Sequence, residues 1–186
     1  MDKSQFAGFV ASTREYIFIR PEDNLLILRP NKVHHLNATA TAMLRDLYSV
    51  QPLDVDALLA GFAVRFGAPP EQIQRDLGAL LESVQWLLRD EPGRGPAVRR
   101  TPFGTHTIKL PVLSEIALTY RCNNRCTFCY ASAPDRGRQV AEMTTGQVKQ
   151  VIDKIVDQAK APTVSFTGGE PTLRPDLPEL VAYARS

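Results

Sequence analysis

Three cysteines lie within eight residues of each other, at Cys122, Cys126 and Cys129, and the 186-residue chain has no others. Thiolates bind zinc and iron–sulfur clusters, whereas a disulfide framework needs an even number of cysteines spread along a secreted chain. Steps of four and three residues on a loop let the sulfurs converge on one small metal group, because each residue reaches at most about 3.3–3.6 Å. Three thiolates on a 4Fe-4S cubane leave one iron open to a small chelating molecule. The segment therefore predicts a metal or cluster site in a reducing cytosol.

A zinc site with a histidine as its fourth ligand is the main alternative. The histidines are His34, His35 and His106, and the nearest of them lies 16 residues before Cys122. Structural zinc sites usually draw their ligands from two spaced pairs, and this sequence has no second pair. Free structural cysteines are usually buried singly, which argues against a purely structural role. The sequence therefore favours a cluster over zinc.

Two arginines, Arg121 and Arg125, flank the first two cysteines. Their charge either offsets that of a thiolate-rich cluster or lies in solvent, and the sequence favours neither interpretation. No side chain is predicted to be catalytic in its own right.

The elements that would position the cysteine loop alternate between strand and helix. Residues 115–120 form a predicted buried strand directly before the cysteines, and residues 163–167 form another. Between them, Thr144 and Gln147 match a capping box at the start of a helix, and a second helix begins near Asp176. This βαβα order predicts parallel strands joined by a right-handed crossover. The apolar stripes predicted for the two helices consist of Val148, Val151, Ile152, Ile155, Val156 and Ala159, and of Leu177, Leu180, Val181 and Ala184.

The turn after the second strand reads Gly168-Gly169-Glu170-Pro171. Glycines let the backbone approach a ligand closely, and the Glu170 carboxylate can accept hydrogen bonds from an ammonium group. Alone, such a turn is an ordinary connection from strand to helix. The turn indicates ligand binding more strongly here, because it lies one βα unit after the cysteine loop.

The spacing CxxxCxxC, with Phe128 before the third cysteine, together with the segment TGGEPTLRPDL at 167–177, resembles the radical S-adenosylmethionine (radical SAM) enzymes. Within them it resembles peptide-modifying members of the PqqE type, which carry SPASM domains. The resemblance implies a fold that starts an α/β partial TIM barrel. It also implies that an electron from a flavodoxin or ferredoxin type of donor cleaves S-adenosylmethionine, and that the resulting 5′-deoxyadenosyl radical abstracts hydrogen from the substrate.

The same resemblance implies roles for particular residues. The three cysteines would hold a 4Fe-4S cluster, and Gly168, Gly169 and Glu170 would contact the methionine part of S-adenosylmethionine. Phe128 would lie near the adenine, although a role as an apolar plug beside the cluster stays open.

The first half of the chain has a different pattern, with three short strands followed by three helices. Residues 15–20, 25–29 and 32–36 are rich in β-branched and apolar residues and predict the strands. Asn37 and Asp54 are predicted to cap the first two helices, Gly67 to end the second and Pro70 to open the third. The predicted buried positions are Ala40, Met43, Leu44, Leu47, Tyr48, Val55, Leu58, Leu59, Phe62, Phe66, Ile73, Leu77, Leu80, Leu81, Val84 and Leu87.

This order, with VHHLNATATAMLRDL at 33–47, resembles the PqqD-like domains, which are α+β winged-helix-like modules that recognise the leader segment of precursor peptides. The resemblance implies that a leader adds a strand beside residues 32–37 and packs against the helix at 71–88. A winged-helix shape also suggests DNA binding. However, residues 1–90 carry nine basic and eleven acidic residues, a net charge of −2, which argues against phosphate contacts and any nucleic-acid partner.

We therefore predict a PqqD-like domain at 14–90, a linker rich in proline and glycine at 91–108, and the N-terminal part of a radical SAM barrel at 109–186. Since two parallel strands do not form a stable sheet alone, we expect the chain to be the front part of a longer protein. There is no apolar run long enough to span a bilayer and no secretory signal, so we expect a cytoplasmic protein without a membrane partner.

Overall fold

A computed structural model describes residues 1–30, 32–89, 108–133, 137 and 139–186 of the chain. These residues form two compact units, Met1–Lys109 and Leu110–Ser186. The linker predicted at 91–108 lies outside the described residues except for Ile108. The domain bounds predicted from the sequence stay a prediction.

The first unit consists of a helix, three strands and three further helices. Asn37 caps the second helix, since its side-chain oxygen accepts a hydrogen bond from the Ala40 N–H at 2.8 Å. Asp54 caps the third helix, and Gly67 ends that helix in the left-handed conformation at φ 62°. These caps confirm the sequence prediction. The elements are α1 Lys3–Thr13, β1 Ile17–Arg20, β2 Leu25–Leu28, β3 Lys32–His35, α2 Ala38–Ser49, α3 Val55–Phe66 and α4 Pro70–Leu88.

Helix α1 was not predicted from the sequence. Its buried side chains are Phe6, Val10 and Thr13. Phe6 and Val10 join a core formed by Leu26 and Leu28 of strand β2, whose four residues are all buried, and by the inner faces of α2, α3 and α4. Three residues predicted to face that core from α3 are only partly buried: Val55, Leu58 and Phe66.

The three strands of the first unit form an antiparallel sheet in the order β1-β2-β3. Ile19 is opposite Leu26, and Leu26 is opposite His34 on the other side. Strand β3 therefore lies at an edge of the sheet, and it is the more accessible edge, because none of its residues is fully buried whereas Ile17 and Arg20 of β1 are.

The second unit is the predicted βαβα arrangement, with parallel strands in register at Ile116 and Phe166. Thr144 and Gln147 form the predicted capping box, in which the Thr144 N–H donates to Gln147 Oε1 at 2.9 Å and the Gln147 N–H to Thr144 Oγ1 at 3.3 Å. The elements are β4 Ser114–Thr119, α5 Thr145–Asp157, β5 Val164–Gly168, a short 3₁₀ helix Pro171–Leu173 and α6 Leu177–Arg185.

The core of the second unit lies between the two strands and their helices. Two residues predicted to belong to it are exposed: Val156 by 52% and Val181 by 42%. Each directly follows a buried residue, Ile155 or Leu180, and one residue turns a helix by about 100°, which carries the side chain off the buried face. The buried residues are Ile116, Leu118, Val148, Ile152, Ile155, Ala161 and Leu180.

Among the helices of the described residues, none combines the length and apolar character needed to cross a membrane.

Candidate metal and cofactor site

The three cysteines lie on the loop that leaves the carboxyl end of β4. Cys126 and Cys129 are exposed and Cys122 is partly buried, and all are free thiols. Cys122 Sγ accepts a hydrogen bond from the main-chain N–H of Asn124, and Cys129 Sγ accepts one from that of Ala133, each at 3.4 Å. Within the described part of the chain, no three cysteine, histidine or acidic side chains lie close enough to hold a metal ion. The fold thus places the thiols on one accessible loop without bringing their sulfurs together.

The base of the cysteine loop is hydrogen-bonded to the turn after β5. The Gly169 N–H donates to the Thr119 carbonyl oxygen at 2.7 Å, and the Glu170 N–H donates to that of Arg121 at 2.9 Å. A Cβ atom on Gly168 would collide with the Thr119 carbonyl oxygen, and one on Gly169 with that of Arg121. Both glycines are therefore needed for the close approach of these two backbone segments. Their predicted role toward a ligand stays a prediction.

The Glu170 side chain is held by three hydrogen-bond donors. Its Oε1 accepts from the Thr172 N–H at 3.1 Å and from the Thr172 hydroxyl at 2.7 Å, while Oε2 accepts from Asn124 Nδ2 at 3.1 Å. These bonds, first the Thr172 hydroxyl, then the Thr172 N–H and then Asn124, hold the pKa of Glu170 below its usual value. Glu170 is therefore a carboxylate at neutral pH, oriented partly by the cysteine loop.

Arg174 is a central residue of the site that sequence reasoning missed. Its side chain is buried, and Nη1 donates to the carbonyl oxygens of Leu118 at 3.0 Å and Met143 at 2.8 Å. Nε and Nη2 bind both carboxylate oxygens of Asp176 at 2.9 and 2.6 Å. The Thr145 hydroxyl also donates to Asp176, at 2.7 Å. Arg174 thus ties the end of β4 to the segment before α5 and to the start of α6.

The Arg174–Asp176 pair is an ion pair with little access to solvent. The hydrogen bonds from Arg174, followed by that from Thr145, hold the pKa of Asp176 well below its usual value. The only sequence signal for the pair is an arginine two residues before an aspartate, and charged residues are mostly exposed, so this spacing does not predict a buried pair.

Arg121 is paired with an acidic side chain of the same unit. Its Nε donates to Glu142 Oε1 at 2.7 Å and its Nη2 to Oε2 at 3.2 Å, with half of its side chain exposed. The Thr119 hydroxyl donates to the same carboxylate. These bonds, Arg121 first and Thr119 second, lower the pKa of Glu142. Arg121 therefore anchors the start of the loop to the segment before α5.

The aromatic residues of the loop are solvent-facing. Phe128 is 93% exposed and Tyr130 is 80% exposed. The Tyr130 hydroxyl lies 3.4 Å from Glu115 Oε1, which also accepts from the Thr167 hydroxyl at 2.8 Å. The ring of Phe128 is thus available to a ligand, and its placement near adenine stays a prediction.

Residues 116–186 match the Radical SAM superfamily, a range that begins in β4 and includes the cysteine loop and the Gly168–Glu170 turn. This match covers 71 of the 186 residues and lies within the second unit, which therefore resembles the Radical SAM superfamily. Residues 24–85 match the family described as Coenzyme PQQ synthesis protein D (PqqD). That range begins after helix α1 and strand β1, so those two elements precede the PqqD match.

Several curated proteins resemble the chain. Fe-coproporphyrin III synthase from Methanosarcina barkeri is 47% identical over 68 residues, 37% of this chain and 16% of that protein. Mycofactocin maturase MftC from Mycobacterium ulcerans is 38% identical over 79 residues, 42% of this chain and 21% of that protein. PqqA peptide cyclase from Bradyrhizobium diazoefficiens is 38% identical over 86 residues, 46% of this chain and 22% of that protein. No solved structure matches the chain.

The chain thus matches only 16–22% of the length of these relatives. The segment shared with each of them is 68–86 residues long.

The donor set suits the iron–sulfur cluster that the Radical SAM superfamily implies. Three thiols, none in a disulfide, lie on one accessible loop, and two of them accept main-chain N–H hydrogen bonds. Because the sulfurs are not grouped in the described residues, holding a cluster would require the loop to draw them together.

Proposed function

We propose that this chain belongs to a radical SAM enzyme that modifies a ribosomally made precursor peptide, captured by the first unit. The observation that carries the proposal is the direct pairing of the cysteine loop with the glycine turn. Two main-chain hydrogen bonds, Gly169 to Thr119 and Glu170 to Arg121, join them inside the segment that matches the superfamily.

In this proposal, Cys122, Cys126 and Cys129 would hold a 4Fe-4S cluster. The turn at Gly168, Gly169 and Glu170 binds the methionine part of S-adenosylmethionine, and Phe128 lies against the adenine. When bound, the cluster and S-adenosylmethionine would supply radical chemistry for the modification of the substrate. The protein orients the bound molecule: the Glu170 carboxylate accepts from its ammonium group, and the paired backbone segments keep that carboxylate beside the cysteine loop.

The fold proposal follows the same division. The first unit is an α+β winged-helix-like domain, and the second is the start of an α/β partial TIM barrel. The parallel pairing of β4 and β5, with α5 between them in sequence, supports the barrel assignment.

The proposed partner of the first unit is the leader of the precursor peptide. Strand β3 lies at the accessible edge of its sheet, where an extended peptide can add a strand through main-chain hydrogen bonds. The match to PqqD and the relatives named as a maturase and a peptide cyclase support a peptide. A flavodoxin or ferredoxin type of protein would supply the electron in the cytoplasm, and the net charge of −2 in residues 1–90 argues against nucleic acid.

A substrate that is not a peptide is the second candidate. It is favoured by the similarity to a protein named Fe-coproporphyrin III synthase, whose name does not refer to a peptide. A third candidate is a module that binds peptide without catalysis.

Anaerobic reconstitution with iron and sulfide tests the cluster. The full chain is expected to take up iron and to absorb near ~400 nm, as iron–sulfur proteins do. The matched control replaces the three cysteines by serine and is expected to take up no iron. Stoichiometric zinc in protein purified without air, combined with no uptake of iron, would contradict the cluster. Cleavage of S-adenosylmethionine by the reduced protein then separates an enzyme from a binding module.

Hydrogen–deuterium exchange tests the peptide partner. The leader of a precursor peptide encoded beside the gene is expected to slow exchange in residues 32–36, because an added strand protects the edge amides. Residues 55–66 of α3 serve as the internal reference and are expected to keep their exchange rate. Unchanged exchange in residues 32–36 at saturating peptide would favour the non-peptide candidate.

A further inference from the structure

Asn124 lies between the first two cysteines and makes hydrogen bonds in two directions. Its main-chain N–H donates to Cys122 Sγ at 3.4 Å, and its side-chain Nδ2 donates to Glu170 Oε2 at 3.1 Å. These partners are 48 positions apart in the sequence. One residue thus joins the first thiol of the loop to the carboxylate of the glycine turn.

The hydrogen bonds to Glu170 leave one accepting position on its carboxylate. A carboxylate has about four such positions, two on each oxygen. Both positions of Oε1 are filled by the N–H and the hydroxyl of Thr172, and one position of Oε2 is filled by Asn124. Counting only partners among the described residues, one position on Oε2 stays open. All three donors are neutral, so the negative charge of Glu170 is not cancelled.

We propose that Asn124 is a positioning residue for the ammonium group of S-adenosylmethionine, which it serves by fixing Glu170 Oε2 relative to Cys122. This inference rests on the proposed function. A molecule that binds both an iron beside Cys122 and the carboxylate of Glu170 binds best when the iron and the carboxylate are held at a fixed distance from each other. When the protein already holds its binding groups in place, less conformational entropy is lost on binding, and the affinity is higher. The amide of Asn124 is uncharged, so it holds Glu170 in place without neutralising the carboxylate charge that attracts the ammonium group.

The proposal assigns the positioning role to Asn124 and not to its neighbour Asn123. Both are asparagines on the same loop, but only Asn124 has a side-chain hydrogen bond among the described residues. A change from asparagine to aspartate keeps the size of the side chain, replaces the donor by an acceptor and adds one negative charge. Made at both positions, it provides a pair of variants with the same net charge and different contacts.

The test measures two quantities on the full chain after anaerobic reconstitution, without reductant so that no turnover occurs. They are the iron content and the affinity for S-adenosylmethionine by equilibrium dialysis. Asn124→Asp is expected to load iron as the wild type does but to bind S-adenosylmethionine about tenfold more weakly, the size expected for a lost hydrogen bond to a charged group. Asn123→Asp is expected to stay within about twofold, since exposed charges are well screened.

A conservative variant distinguishes positioning from general disturbance of the loop. Asn124→Gln keeps an amide donor and is expected to recover most of the affinity that Asn124→Ala loses. Equal affinity in Asn124→Asp and the wild type would overturn the proposal, as would equal weakening in Asn124→Asp and Asn123→Asp. Loss of iron in Asn124→Asp and Asn124→Ala would place the effect at Cys122 instead of Glu170. A wild type that takes up no iron, or binds no S-adenosylmethionine once loaded, would contradict the proposed function itself.

Discussion

The guanidinium of Arg174 donates a hydrogen bond to the main-chain oxygen of Leu118, 56 positions earlier in the chain, at 3.0 Å. Leu118 is nearly at the end of β4, one residue before the segment that pairs with the glycine turn. A buried charge therefore supports the backbone from which the cysteine loop leaves.

Replacing Arg174 by methionine is expected to lower the free energy of unfolding of the second unit by about 3 kcal/mol. The change leaves the Asp176 carboxylate without its cation and two carbonyl oxygens without their donor, and loss of one partner of a buried pair costs roughly this amount. Hydrogen–deuterium exchange of peptides from β4 measures this loss of unfolding free energy. The control is Lys149→Met, because Lys149 forms an exposed pair with Glu179 and is expected to cost less than about 1 kcal/mol. If both variants lose the same amount of unfolding free energy, the burial of Arg174 does not explain its contribution to stability.

The contribution of Asp176 is expected to depend on pH. Its pKa in the folded protein lies below the ordinary value of 3.8, so the unfolded state binds the proton first as the pH falls. The stability that the charged carboxylate provides is complete above that value and is lost progressively as the pH falls below it. The difference in stability between wild type and Asp176→Asn should therefore be constant from about pH 7 to about pH 5 and should shrink in stronger acid. Glu142 and Glu170 are present in both proteins, so the pH dependence that they give to the stability cancels in this difference. A difference that grows in acid would have the wrong sign.

Gly168→Ala is expected to destabilise the second unit by about 3 kcal/mol. The residue has φ 122°, which side chains other than glycine rarely adopt, and the added Cβ would strike the Thr119 carbonyl oxygen. Gly146→Ala is the matched control, since a Cβ there meets nothing within 4 Å and the residue lies in helix α5. Because alanine favours helix, this control should stabilise by up to about 1 kcal/mol. Exchange of β4 and β5 amides compares the two, and a destabilised control with an unaffected Gly168→Ala would refute the expectation.

Gly78→Ala is expected to weaken the first unit by about 1–3 kcal/mol through overpacking. A Cβ on Gly78 of α4 would lie 2.5 Å from the main-chain oxygen of Met1, which would displace the start of α1. Trp86, the single tryptophan of the chain, lies in α4 and reports unfolding of this unit in urea by its fluorescence. Gly61→Ala in α3 has open space around its Cβ and is expected to be neutral or slightly stabilising. If both variants unfold at the same urea concentration, the contact between Gly78 and Met1 is unimportant.

Much of the local structure could be predicted because it depends on residues three or four positions apart. Asn37 and Asp54 as caps, Gly67 as a helix end and the capping box of Thr144 all occur where the sequence placed them. Helix α1 was missed because its apolar residues, Phe6, Ala7, Phe9, Val10 and Ala11, are crowded together and only weakly confined to one face of the helix. The hydrogen bond from the Asp2 N–H to Gln5 Oε1 shows that a residue spaced as in a capping box marked its start.

The sequence alone determined the chemistry available to this protein, because residue type and spacing place three thiols on one loop and two glycines with a carboxylate on one turn. It did not determine which charges are buried. Arg121 and Arg174 both lie near the site, yet Arg121 is half exposed and pairs with Glu142, whereas Arg174 is buried and bonds the backbone of β4. The contacts of Arg174 with Leu118 and of Asn124 with Glu170 join segments 56 and 46 positions apart, which meet only when β4 and β5 pair side by side. Such contacts leave no local pattern, so only the tertiary structure decided them.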